Sequence, residues 1–240
     1  ETRQVTFNEI KLDPASPPQF SILKRGSYEP MTSKLVSVLL KPREVFVDVG
    51  ANFGYFSLLA SKRAKLVLSF EPNKKAFLDL VDSINRNKKD NIIPFYQALA
   101  DRRREVSLKK PWYRQTTGGY LRTGKEIRAV QFDSIYEKLG KPEVGLVKID
   151  TEGAELLVLE GMKEMLGRDK PKIILESGDY IRRFNYKTED LFKFLLKLSY
   201  ESFLIDEERM KLKKINSPTQ GQLLFIHKDE NFDFRSPMAR

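Results

Sequence analysis

Apolar runs and helix-period stretches alternate along most of the chain. Val45–Val49 is a short β-branched run that predicts a buried strand, and Tyr55–Arg63 follows with Phe56, Leu59 and Ala60 at helical spacing. Leu66–Phe70 and Asn73–Asn87 repeat the pair, the second with Phe77, Leu80, Val81 and Ile84 on one face. Ile92–Gln97 predicts a third strand, and Val106–Leu108 and Ile127–Gln131 are expected to extend the sheet around a long connector. A short helix over Asp133–Leu139, a strand over Val144–Ile149, a helix over Ala154–Leu166, a strand over Lys172–Glu176 and a helix near Thr188–Leu198 continue the series. Two late strands, about Ser202–Ile205 and Gln222–His227, close it.

The beginning of the chain is patterned differently. Pro14, Pro17, Pro18 and Pro30 interrupt residues 1–30, which predicts an irregular or short-stranded lead-in, and Thr32–Leu40 predicts a short helix ending before Pro42. Strand–helix alternation predicts a doubly wound α/β sheet with helices on both faces. Right-handed crossovers gather the loops after the early strands at one edge, where such sheets hold ligands. With 240 residues one domain is expected: residues 1–40 as a lead-in packed on the core, and 41–240 as the domain itself.

Composition narrows the chemistry. Cysteine is absent, which excludes thiolate metal sites, iron–sulfur clusters and cysteine nucleophiles, and His227 is the lone histidine, best read as structural. Acid–base work therefore falls to Asp, Glu, Lys, Tyr or a bound metal. No apolar run reaches the roughly 18 residues of a membrane span, and no charged-then-apolar leader is visible, so a cytoplasmic protein is expected. The surplus of 43 Lys and Arg over 33 Asp and Glu, +10, suits either a solvated charged surface or an acidic partner.

The segment VFVDVGANFG, Val45–Gly54, carries the sharpest signal. Gly50 and Gly54 bracket a strand-to-helix turn where backbone can approach a ligand closely. A dinucleotide loop wants G-x-G-x-x-G, and here Asn52 stands where the middle glycine would be. Asp48, two places before Gly50, suits a cation better than a phosphate, and S-adenosylmethionine carries a sulfonium and an ammonium. Glu71 ends the next strand in SFEPN, placed for a ribose diol, since an ionised carboxylate only accepts. Glu71 and Asn73 equally suit the start of the next helix. After the third strand, Gln97 or Asp101 is placed to accept from an adenine amino group, and Asp101 also suits a turn.

The fourth strand ends in KIDTEGAE, with Lys148, Asp150 and Glu152 where an acceptor would meet the cofactor's methyl group. Glu155 is accounted for by the dipole of the helix it starts. A hydroxyl acceptor must lose a proton, to a carboxylate or lysine base or with help from a metal. Asp150, Glu152 and Glu176, the last at the end of the fifth strand, suit either base or oxygen ligand, which leaves a divalent metal undecided.

These stretches together resemble the FkbM family of S-adenosylmethionine-dependent methyltransferases. The resemblance rests on VFVDVGANFGYFSLLA, LSFEPNKKAFLDL, QALAD, FDSIYEKLG, LVKIDTEGAELLVLEGM and PKIILE, in that order over about residues 44–177. It implies a class I methyltransferase fold, Rossmann-like, with a seven-stranded sheet whose last strand is antiparallel, and typically O-methylation of a sugar or natural-product hydroxyl. By the same resemblance Asp48, Gly50, Asn52 and Gly54 line the methionine moiety, Glu71 holds the ribose, and Lys148, Asp150 and Glu152 lie at the reaction end, with S-adenosylhomocysteine as the product.

The connector 102–128 has nine Lys or Arg against Glu105 and Glu126, a surplus of seven. It also holds Trp112, Tyr113 and Tyr120 around Arg114. Rings among cations suit sugar stacking, phosphate contacts or single-stranded nucleic acid. The expectation is a lid that reads an anionic glycan or other small acceptor. RNA is the alternative partner, and a non-catalytic S-adenosylmethionine-binding module the alternative without chemistry.

Overall fold

The lead-in is more ordered than its prolines suggest. In the computed structural model, which describes residues 5–7, 9–26, 28–109 and 120–230, it begins with a hairpin of β1 (Val5–Phe7) and β2 (Ile10–Leu12). Two helices follow, α1 (Pro17–Arg25) and α2 (Pro30–Leu39), where an irregular stretch and one helix were expected. Pro17 and Pro18 open α1, at positions where a missing N–H breaks no helical hydrogen bond, and Gly26 closes it in a left-handed conformation (φ 63°).

Then come β3 (Val45–Val49), α3 (Tyr55–Ala60), β4 (Leu66–Phe70), α4 (Lys74–Arg86) and β5 (Ile92–Phe95). Four short strands follow: β6 (Ala98–Leu99), β7 (Arg104–Lys109), β8 (Tyr120–Thr123) and β9 (Ile127–Val130). The second half holds α5 (Phe132–Lys138), β10 (Val144–Ile149), α6 (Glu155–Glu160), α7 (Lys163–Asp169) and β11 (Lys172–Ser177). A 3-10 helix at Asp179–Phe184, α8 (Thr188–Lys197), β12 (Tyr200–Asp206), β13 (Lys211–Ile215) and β14 (Gly221–His227) complete it.

The main sheet runs β13-β12-β14-β11-β10-β3-β4-β5, with β10, β3, β4 and β5 parallel and β14 antiparallel between β11 and β12. The expected doubly wound class I methyltransferase sheet is therefore present, with one strand more than the seven expected. The extra strand, β13, reads KLKKI and is largely exposed at the sheet edge. Lysines on an edge strand discourage pairing with another chain, and they also remove the apolar alternation by which a strand is recognised.

The connector strands do not extend this sheet. They form a second sheet, β6-β9-β7-β8, with a core of its own around Val106, Leu121, Ala129 and Leu157. The helix expected over Ala154–Leu166 is two, α6 and α7. Asp133, at the start of α5, accepts from the backbone N–H groups of Glu164 at 2.9 Å and Met165 at 3.1 Å, so it caps a new helix there. Among the described residues no helix is long and apolar enough to cross a membrane.

Every residue of β3 and β10 is buried, as near-continuous apolar strands covered on both faces should be. Asp48 and Lys148 are the polar exceptions, and they are register partners on these adjacent strands. The fold thus places one buried anion and one buried cation side by side, just below the edge where the loops gather.

Candidate active site

The loops at that edge enclose a cavity of about 650 Å³. Asp48, Gly50, Asn52, Glu71, Gln97, Lys148, Asp150, Glu152 and Glu176 all line it, so residues from both halves of the chain converge on one space. Phe70, Leu99, Leu108 and Leu121 give it an apolar wall, the last three from the second sheet.

The glycine loop is held from beneath. Gly50 takes φ 82°, and a Cβ built on it would stand 1.9 Å from the Asp150 carbonyl oxygen, so only glycine lets the two loops meet. The N–H groups of Gly50 and Ala51 both donate to the Phe70 carbonyl. Gly54, also left-handed at φ 88°, packs against Leu80 where a Cβ would come within 2.4 Å. It does not line the cavity, so its part is to turn the chain into α3.

Asp48 is 1% exposed and accepts from the Ser57 hydroxyl at 2.6 Å, which in turn accepts from Ser69 Oγ at 2.8 Å. Burial pushes its carboxyl upward, opposed by the nearby Lys148 ammonium and the Ser57 hydrogen bond. Glu71 uses its two oxygens on two backbones: Oε2 accepts from Asn52 N–H and Oε1 from Asn73 N–H, each at 2.8 Å. Burial outweighs these bonds and moves its pKa up to about 7. Each oxygen keeps acceptor capacity beyond that one bond, since a carboxylate has about four acceptor sites.

Two of the expected cofactor residues are engaged elsewhere. Asn73 Oδ1 caps α4, accepting from Lys75 N–H at 3.0 Å and Ala76 N–H at 3.2 Å, and Asn73 is absent from the cavity wall. Asp101 is held by Arg104 and Arg102 as a turn residue and does not reach the cavity either. Gln97 does line it, with its amide nitrogen donating to the Arg128 carbonyl.

Near the end of β10 Lys148 is 3% exposed, and its Nζ donates to Asp150 Oδ2 at 3.1 Å while sitting 4.6 Å over the Phe56 ring. Burial works against the ammonium, but the Asp150, Glu29 and Asp48 carboxylates outweigh it and hold its pKa above that of a free lysine. The turn carrying Asp150 and Glu152 is fixed by Glu155. One oxygen, Oε1, accepts from Thr151 N–H at 3.1 Å, the Thr151 hydroxyl at 2.9 Å and Gly153 N–H at 3.0 Å. Glu155 is therefore a builder of the loop, as well as an acid at a helix start. Glu152 takes a left-handed backbone (φ 56°), and Arg183 donates to its carbonyl at 3.1 Å. Glu176 is half-buried, and burial, with Asp150 and Glu152 nearby, raises its pKa to about 7.

Trp112, Tyr113 and Arg114, expected to read the acceptor, lie outside the described residues; Tyr120 begins β8, and its side chain also lies outside them. The cavity gains a wall that patterning did not assign: Pro17, Pro18, Ser21, Ile22 and Arg25 of α1, and Tyr28. Among the described residues no group of three His, Asp or Glu side chains is arranged to hold a metal.

These residues fit S-adenosylmethionine. Asp48, Glu71, Asp150, Glu152 and Glu176 line the cavity against few cations, and Lys148 is already paired, so the field favours a cationic ligand. An apolar wall with a few convergent polar groups also suits an adenosine.

Comparison with known proteins agrees. Residues 48–202 match the methyltransferase FkbM domain. Over 141 residues the chain is 31% identical to the hexuronic acid methyltransferase AglP of Haloferax volcanii, covering 55% of this chain and 56% of that protein. Over 163 residues it is 36% identical to the tRNA(Phe) (4-demethylwyosine(37)-C(7)) aminocarboxypropyltransferase of Methanocaldococcus jannaschii, covering 67% and 59%. The chain thus spans little more than half the length of these curated relatives. The crystal structure of methyltransferase FkbM from Methylobacillus flagellatus superposes with a TM-score of 0.54 at 18% identity, over 81% of this chain and 48% of that one, which supports the fold. A glycine loop and a row of carboxylates around one cavity, with a domain match over most of the chain, lead to one conclusion: this chain belongs to the FkbM family of S-adenosylmethionine-dependent methyltransferases.

Proposed function

We propose that this chain methylates a hydroxyl on a sugar, glycan or other small acceptor, with Glu176 and Asp150 as the carboxylates that receive its proton. The observation that carries the reading is Glu176: its pKa of about 7 lies where a general base works best near neutral pH, and it lines the same cavity as Glu71. When bound, S-adenosylmethionine supplies a methyl carbon activated by a cationic sulfur. The chain's own work is then to position the acceptor and take one proton. Lys148, held as an ammonium, does not serve as a base; it orients Asp150 through their 3.1 Å hydrogen bond. Holding two reactants in line supplies much of the acceleration of such a displacement, on the order of 7–11 kcal/mol.

The hexuronic acid relative favours a carboxylated sugar, and Arg25 and Lys75 in the cavity wall are cations that suit one. A second reading, an RNA acceptor, draws on the tRNA-directed relative and the basic connector. The test is incubation with methyl-labelled S-adenosylmethionine and fractionated cell extract, alongside a glucuronate-bearing oligosaccharide. Label in the glycan fraction as a base-stable methyl ether supports the reading. Label in RNA supports the second. Label in neither, with tight cofactor binding, leaves a binding module. Transfer traced by the carboxyl carbon of the cofactor in place of its methyl would indicate aminocarboxypropyl chemistry and contradict methylation.

A further inference from the structure

The lead-in brings to the reaction end a carboxylate that neither the glycine loop nor the strand ends supply. Glu29 stands at the N-cap position of α2, yet its side chain caps nothing. The free N–H groups of that helix go instead to Glu207, from the turn between β12 and β13. Glu207 Oε2 accepts from Met31 N–H at 2.7 Å, and Oε1 from Thr32 N–H at 3.0 Å and from the Thr32 hydroxyl. A distant residue thus does the local residue's work and leaves the Glu29 carboxylate to another use.

Two features of Glu29 are unfavourable unless something requires them. Its backbone is left-handed, φ 40°, a region that glutamate seldom adopts. Its Oε2 is buried without a hydrogen-bond partner. Such outliers gather at functional sites, where the surrounding fold enforces them.

The neighbours indicate the use. The ring of Tyr28, next in the chain, lies 5.8 Å from that of Phe56, and Lys148 Nζ sits over the same Phe56 ring. Burial pushes the Glu29 carboxyl above its ordinary value, and Asp150, Glu207 and Asp48 add to that rise. The Lys148 ammonium is the strongest single charge acting on it and the one that favours its ionised form. Lys148 has its hydrogen bond to Asp150 alone among the carboxylates of the described residues. A buried ammonium tied to a single carboxylate holds that carboxylate tightly and withdraws it from other partners.

We propose that Glu29 is a positioning residue of the reaction end, a carboxylate that joins Asp48 in balancing the buried Lys148 ammonium and so leaves Asp150 available to the acceptor. The proposal rests on the reading of Lys148 and Asp150 as the reaction end. It adds to the site a residue from outside the matched domain, which begins at residue 48.

Glu29→Asp and Glu29→Asn test it, because both side chains tolerate a left-handed backbone and they differ in charge. The direct readout is the ammonium resonance of Lys148 in ¹⁵N-lysine-labelled protein, assigned by its loss in Lys148→Met. The expected result is a slowly exchanging signal in the parent and in Glu29→Asp, with exchange about tenfold faster in Glu29→Asn. With the glucuronate-bearing oligosaccharide as probe, kcat should fall about tenfold in Glu29→Asn, KM for the cofactor should stay within about twofold, and Glu29→Asp should recover most of the rate. An ammonium signal unmoved in Glu29→Asn, or Asn and Asp variants that behave alike, overturns the proposal. Should Glu29→Asn not fold, Glu29→Gln is read by the same signal. Glu207→Gln, which loosens α2 without altering the charge at 29, must leave the signal in place, and its loss there also overturns the proposal. If the parent methylates no hydroxyl probe, the acceptor reading fails by itself and the resonance still decides on Glu29.

Discussion

The Lys148 ammonium stands 3.1 Å from the Asp150 carboxylate, with the lysine side chain 3% exposed and the aspartate 28% exposed at the cavity wall. The pair joins the buried core of β10 to the loop that lines the cavity. Removing only the cation leaves Asp48, Asp150 and Glu29 repelling one another in a dry setting. Lys148→Met is therefore expected to destabilise the protein by about 3–5 kcal/mol, the usual cost of breaking a buried pair from one side. Urea denaturation checks this, and a loss below about 1 kcal/mol contradicts the geometry.

Gly50 and Gly54 separate two kinds of glycine requirement. Both are left-handed, but a Cβ at 50 meets the Asp150 backbone, whereas a Cβ at 54 meets the movable end of the Leu80 side chain. Gly50→Ala should lose more stability than Gly54→Ala, for which the backbone penalty of about 1–2 kcal/mol dominates. Thermal melts of the two variants compare them; equal melting temperatures would show that the two loops can part without cost.

Much of this arrangement could be read from the chain before its fold was known, and the parts that could not share a cause. Asp48, Gly50 and Glu71 are signalled by their places at strand ends, because the doubly wound topology brings those ends together whatever the intervening helices contain. Gln97 followed from the same logic, whereas Asn73 and Asp101 sit at strand ends too but spend their side chains on a helix cap and an Arg104 pair. Helix α1 was hidden by Pro17 and Pro18, which interrupt a pattern in general but suit a helix's first turn. Strand β13 was hidden by lysines that suit an edge. Glu29 and Glu207 left no local signal, since their roles depend on contacts between α2 and the turn after β12.

The raised pKa of Glu71 predicts a pH dependence of stability. Its carboxyl titrates near 7 in the folded protein against an ordinary value of 4.5. Between those values the folded state holds a proton that the unfolded state has lost. The contribution is full below about pH 4.5 and is lost as pH rises toward 7, for about 3 kcal/mol in total. In Glu71→Gln that part of the slope should vanish. Urea midpoints from pH 5 to 8 test it, and an unchanged slope would place the titration elsewhere.

Glu176 predicts the pH profile of catalysis. As the proposed base, with a pKa of about 7, it must be ionised to accept the acceptor's proton, so kcat/KM should rise with pH through about 7 and then level. Glu176→Gln should cost about a hundredfold or more in kcat and remove that limb, while the cofactor's affinity stays near that of the parent. A limb that persists in Glu176→Gln would assign the base to another group.

The proposed cofactor site is the cavity at the strand ends, with Glu71 placed for the ribose. Calorimetric titration of S-adenosylhomocysteine into the parent and into Glu71→Gln measures this most directly. The prediction is saturable one-to-one binding to the parent, weakened about 10- to 100-fold in Glu71→Gln, as expected for losing a charge-assisted hydrogen bond. No binding to the parent, or equal affinity in the two proteins, would contradict it.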